Sequence, residues 1–162
     1  MDYQIKWHKP IKLIDGYKKK DLIFTCEEKD LKCIPEEPGV YMFACTFGNS
    51  DKLTPLYVGK TKNLHTRINQ HFKGNVPLMN QIKKRKSRER YFIFGELVRG
   101  RGQGRDNNLV KYLNFVERNL ITQAIAINRN LFNKQGTVIN SSRIMSSGKV
   151  PDFVPSTITV AD

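Results

Sequence analysis

Apolar and polar positions along the chain fall into short alternating runs, turn clusters and three stretches with helical spacing. VYMFACTF (40–47) is dense in β-branched and aromatic residues and predicts a strand. LYVG (56–59) predicts a second strand, and the intervening GNSDKLTP predicts the loop of a hairpin. Asn63 is placed to cap a helix in which Leu64, Ile68 and Phe72 recur at i, i+4 and i+8, ending near Gly74. A very basic second helix is expected over about 77–90, with Leu78, Met79 and Ile82 as its apolar side. YFIFGELV (91–98) predicts a third strand, and RGRGQGRDNN (99–108) reads as a Gly/Arg-rich loop with nothing to offer a core. A long helix follows over about 109–126, and Leu131-Phe132 predict a short strand.

Before residue 35 the chain alternates short apolar pieces with charge, with a turn at Asp15-Gly16, as expected of an N-terminal extension with weak strands. The turn Pro35-Glu36-Glu37-Pro38-Gly39 closes it off. From Asn140 the chain is Ser-rich and lacks periodicity, so an irregular tail is expected. The expected division is an extension at 1–34, a main domain at 35–139 and a tail at 140–162. The element order β-β-α-α-β-α-β makes the main domain α/β, with helices flanking a short sheet.

Length and composition change this picture little: 162 residues, 39% hydrophobic and 27% charged, describe one ordinary globular domain. No apolar run approaches the ~18 residues of a membrane span, and the N-terminus carries charges where a signal peptide would have its apolar core. Cys26, Cys33 and Cys45 form no C-x-x-C pair, so buried free thiols and a cytoplasmic location are expected.

Charge changes it more. Lys and Arg number 28 against 15 Asp and Glu, a net +13. Residues 1–38 hold eight of each sign, whereas 60–105 hold 13 bases against only Glu89 and Glu96. A field this concentrated attracts polyanions, and nucleic acid is the leading partner.

Candidate chemistry starts on the first amphipathic helix. Arg67 and His71 are i, i+4 partners on a face distinct from Leu64, Ile68 and Phe72, just after the strand end Tyr57-Val58-Gly59-Lys60. In the long helix, Glu117 interrupts the apolar stripe of Val110, Leu113, Leu120, Ile121 and Ala124. Burying even a neutral polar group unpaired costs roughly 2–7 kcal/mol, so Glu117 must meet a cation, a metal or a cleft. A structural ion pair with a Lys or Arg is the plain alternative to a functional role. Tyr41 and Tyr57 lie on strands expected to pair, where both hydroxyls could reach one side. No C-x-x-C, H-E-x-x-H, P-loop or G-x-S-x-G occurs.

Gly39-Val40-Tyr41, then Tyr57-Val58-Gly59-Lys60, Arg67, Glu117 and Asn133, in that order, resemble the GIY-YIG nuclease superfamily. The run YVGKTKNLHTRINQH is similar in particular to the N-terminal incision domain of bacterial excision-repair nucleases. The likeness spans residues 35 to 136 or so and implies a small GIY-YIG-like domain with a short, mainly antiparallel three-stranded sheet flanked by helices.

The resemblance implies phosphodiester hydrolysis by a metal-dependent DNA endonuclease, of restriction, repair or mobile-element type, acting on duplex or branched DNA. It implies that Glu117 is the one protein ligand of a Mg2+ (or Mn2+), a role that suits an ion which keeps several waters. Arg67 would bind the scissile phosphate, and Tyr57 or Tyr41 would take the proton of the attacking water. A free tyrosine titrates near ~10, so it needs cations beside it, which Lys60, Arg67 and His71 would supply. Asn133 would fix the site by hydrogen bonding. A non-catalytic nucleic-acid-binding protein that retains the fold, and a basic scaffold for an acidic protein, are the competing readings. Nucleic-acid contacts are expected from Lys83, Lys84, Arg85, Lys86, Arg88 and Arg90, and from Arg99, Arg101 and Arg105 across one strand.

Overall fold

A strand with apolar side chains on both faces folds only where both are covered, and β5 (Gly39–Thr46) is such a strand: Tyr41, Phe43 and Cys45 point one way, Val40 and Ala44 the other, and all five are buried. The computed structural model describes residues 3–17, 22–73, 77–99, 109–133, 141–145 and 157–161. In it, β5 lies between β6 (Thr54–Thr61) and β7 (Glu89–Arg99), antiparallel to both. This is the expected three-stranded core. The N-terminal extension widens it: β1 (Tyr3–Trp7) and β2 (Ile11–Lys12) both pair with the far side of β7, giving a five-stranded sheet in which β6 is an edge. The strands β3 (Ile14–Asp15) and β4 (Phe24–Thr25) pair separately, and α1 (Glu28–Lys32) leads into the Pro35–Gly39 turn.

One face of the sheet is covered by α2 (Leu64–Phe72) and α3 (Pro77–Lys84), whose Leu64, Ile68, Phe72, Met79 and Ile82 pack on Tyr41, Phe43, Phe92 and Phe94. The other face is covered by α4 (Leu109–Ile127), through Leu113 on Val40 and Leu97, and through Ile121 and Ala124 on Val58. The start of α2 is tied down from two directions. The Asn63 side chain accepts from Thr66 N at 2.8 Å, the cap that its position implied. The first two helical N–H groups, of Leu64 and His65, donate to the carbonyls of Glu37 and Pro35 at 3.0 and 3.1 Å. The turn before β5 therefore sets where α2 begins, and so where Arg67 and His71 stand.

Several expectations are corrected. The second helix ends at Lys84 and not near 90, and β7 already begins at Glu89. The Arg90 guanidinium donates to the carbonyls of Ile82, Lys83 and Arg85 at 3.2, 3.2 and 3.0 Å and lies 5.6 Å over the Phe24 ring, so it closes the helix end. Leu131-Phe132 is not a strand. The segment meets β6 through the Phe132 N–H on Leu56 O at 2.8 Å and through side-chain amides instead of a ladder. The tail is not wholly irregular: β8 (Ser141–Met145) and β9 (Thr157–Ala161) form an antiparallel pair. Cys33 is exposed, while Cys26 and Cys45 are buried, and all three are free. Val110 stands outside the stripe of α4 at 46% exposure. Among the described residues, no helix is long and apolar enough to cross a membrane.

Gly59 pairs with Tyr41 across β5 and β6, and the Tyr41 ring lies over it. A Cβ built at Gly59 would stand 2.5 Å from both Cζ and the hydroxyl of Tyr41. That ring is buried and cannot step aside, so Gly59→Ala is expected to destabilise the protein by about 1–3 kcal/mol. Denaturant unfolding measures this, and a loss under a few tenths of a kcal/mol would refute it.

Candidate active site

Four consecutive residues of β6 meet three other parts of the chain: Tyr41, Asn133 and Glu117. Because strand side chains alternate, Tyr57 and Gly59 face α2 while Val58 and Lys60 face α4. Tyr57 lies beside Tyr41, ring centroids 6.2 Å apart. Gly59 lies under the Tyr41 ring. Val58 is gripped through its backbone: its N–H donates to Asn133 Oδ1 at 3.0 Å, and its carbonyl accepts from Asn133 Nδ2 at 2.7 Å. Lys60 forms an ion pair with Glu117 through Nζ and Oε2.

On the α2 side, Arg67 Nε donates to the Tyr41 hydroxyl oxygen at 3.1 Å, and that hydroxyl lies 2.9 Å from His71 Nε2. His71 is buried, with its ring edge-on to Tyr41 and Phe43. Burial, and then the Arg67 charge, lower its pKa to about 4. The imidazole is thus neutral at pH 7, and the direction of its hydrogen bond with the phenol follows from which ring nitrogen carries the proton. This corrects the expectation that His71 supplies positive field. Burial, and then the neighbouring Tyr57, push the Tyr41 phenol up, against the pull of Arg67. Tyr41 is therefore a neutral phenol that joins Arg67 to His71. Arg67 itself is raised: burial opposes its charge, but hydrogen bonding and charge interaction with Tyr41 and Tyr57 outweigh it. Its Nη1 donates to Gln70 Oε1 at 3.2 Å. Sequence reasoning overlooked Gln70, although its i+3 spacing from Arg67 is visible in the chain.

On the α4 side, Glu117 sits among apolar neighbours with its side chain 18% exposed. The cation it meets is Lys60, itself 33% exposed. Lys60 therefore faces away from the tyrosines it was expected to influence. So Tyr41, Tyr57, Arg67 and His71 gather on one face, Lys60 and Glu117 on the other, and Asn133 holds the strand between them.

The basic segments divide by what their side chains already do. Arg90 closes α3, Arg88 pairs with Asp51, and Arg85 lies 5.7 Å over the Phe47 ring. Lys83, Lys84 and Lys86 are exposed and pair with no acid among the described residues. Arg99 ends β7, an 11-residue strand that places it roughly 33 Å from Glu89 at the other end. Its side chain, and all of Arg101 and Arg105, lie outside the described residues.

Residues 37–96 match the family model described as GIY-YIG catalytic domain. The match contains Tyr41, Tyr57, Lys60, Arg67 and His71, and stops before Glu117 and Asn133. No curated protein and no solved structure matches the chain.

His71 carries a pH dependence of stability. Unfolded, it titrates near ~6.5; folded, it stays neutral down to about 4. The unfolded state binds the extra proton first as pH falls, so stability is full above 6.5 and is lost progressively towards pH 4. Against His71→Gln, the folded protein should lose on the order of 3 kcal/mol across that window. Urea unfolding of both proteins at steps of pH checks it: parallel curves would show that His71 is not held neutral.

Proposed function

From a chain that carries a GIY-YIG catalytic domain over residues 37–96, and hence a nuclease-type function, we propose a metal-dependent DNA endonuclease with its site built around residues 57–60. The observation that carries this is that the edge strand β6 is flanked by an orientated arginine and an acidic side chain: Tyr57 lies beside the Tyr41–Arg67 pair on one face, and Lys60 meets Glu117 on the other. Arg67, held by Tyr41 and Gln70, presents a fixed guanidinium, the geometry that binds a phosphodiester and stabilises its developing charge. Tyr41 is buried and neutral, so it acts as the positioning group for Arg67. Tyr57 is partly exposed on the same face, and in this reading its hydroxyl, not that of the buried Tyr41, meets the attacking water. Asn133 keeps Tyr57 in register.

In this reading Glu117 is the single hard-oxygen ligand; among the described residues, no three His, Cys, Asp or Glu side chains gather to add to it. That donor set fits Mg2+, or Mn2+, which retains waters and accepts one carboxylate together with phosphate oxygens. Such an ion would stabilise charge on the leaving oxygen. Lys83, Lys84 and Lys86 offer their charge to the DNA backbone. A non-catalytic nucleic-acid-binding protein is the second reading, favoured by the Lys60 ion pair that already satisfies Glu117.

Incubation of plasmid DNA, branched DNA and RNA with the protein and Mg2+ separates these readings. Cleavage of DNA is expected; binding without cleavage of any substrate would select the second reading. Arg67→Ala should lower turnover by about 10²–10³. Glu117→Ala should abolish cleavage while DNA affinity stays within a few-fold, and equal loss of both in a folded variant would make Glu117 structural.

The triple variant Lys83→Ala, Lys84→Ala, Lys86→Ala should weaken duplex binding on every sequence. It should also flatten the salt dependence of binding by ~0.9 for each phosphate that is no longer neutralised. Binding constants across a salt series decide this. An unchanged slope would remove these lysines from the interface.

A further inference from the structure

Glu117 is asked to serve two cations. Its carboxylate lies in the stripe of α4 between Leu113 and Ile121, with Lys60 Nζ on Oε2. Among the described residues, no other base pairs with Glu117 and no other acid with Lys60. Both side chains are largely withdrawn from water, so a second cation brought to this carboxylate is repelled by an ammonium that solvent screens poorly. An ammonium and a divalent ion therefore compete for it.

We propose that Lys60 is an internal counter-cation that occupies Glu117 in the free protein, and that substrate phosphate draws Lys60 away and opens the carboxylate to the metal. This rests on the reading of Glu117 as the metal ligand. Lys60 is suited to the exchange. Its flexible stem starts from a strand held at Val58, its side chain is one-third exposed, and a phosphate oxygen is an alternative anionic partner. The arrangement keeps Glu117 neutralised while no substrate is bound. Metal and DNA affinities then become reciprocally coupled: each ligand strengthens the other's binding by the same factor.

The test is binding of Mn2+ to the whole protein, measured by electron paramagnetic resonance of the free ion, with circular dichroism to confirm folding. Wild type, Lys60→Gln, Lys60→Arg and Glu117→Gln are compared. Lys60→Gln should bind Mn2+ roughly tenfold more tightly than wild type, because the competing charge is gone. Lys60→Arg keeps that charge and should bind no more tightly than wild type. A phosphorothioate duplex that resists cleavage should tighten Mn2+ binding by wild type more than by Lys60→Gln. Equal or weaker affinity in Lys60→Gln, with Glu117→Gln abolishing binding, overturns the counter-cation and leaves Glu117 as the ligand. Unchanged Mn2+ affinity in Glu117→Gln overturns the ligand reading itself.

Discussion

The two hydrogen bonds between the Asn133 amide and the backbone of Val58 are the contact on which the rest of the site depends. β6 is an edge strand, and an edge leaves N–H and C=O groups without a ladder partner. One side chain takes both of Val58's groups, because an amide offers a donor and an acceptor side by side. The clamp also fixes register. A slip of one residue would send Tyr57 to the α4 face and Lys60 to the α2 face, undoing both clusters at once. Asn128 on Pro55 and the Phe132 N–H on Leu56 extend the same grip along the strand.

With β6 fixed, the electrostatics of the two faces follow from burial. On the α2 face Arg67 sits in a setting where the neighbouring imidazole and phenol are both neutral. Arg67 gains hydrogen-bond partners without a counter-charge, and so keeps a full positive charge for an anion. The α4 face holds the opposite arrangement, a carboxylate whose charge is cancelled within the protein. One strand thus separates an uncompensated cation from a compensated anion.

Much of this was legible in the chain. The apolar, aromatic-rich runs at 40–47 and 91–98, the Asn63 cap and the carboxylate in an apolar stripe all have local causes, and the structure carries each of them. What escaped was set by partners distant in sequence. The end of α3 depends on Arg90 reaching back to three carbonyls, so the basic run looked like more helix. Arg85, Arg88 and Arg90 looked like free charge because Phe47, Asp51 and Phe24 stand far from them in the chain. Glu117 demanded a cation by its position alone, but nothing local named Lys60 as that cation. His71 read as a source of positive charge, because its burial depends on the strand beneath α2, which no local pattern reports.

The pairing of β1 and β2 with β7 has a consequence for the extent of the folding unit. The matched segment, 37–96, contains neither β1 nor β2. Cut at that boundary, the sheet would bare the backbone of β7 facing Tyr3–Trp7, and Gly95 would lose the cover of Ile5 and Trp7. A bare sheet edge is a template for another copy of itself. With β1 and β2 in place those groups are paired within the chain, so the unit that folds reaches back to Tyr3, well beyond the matched segment.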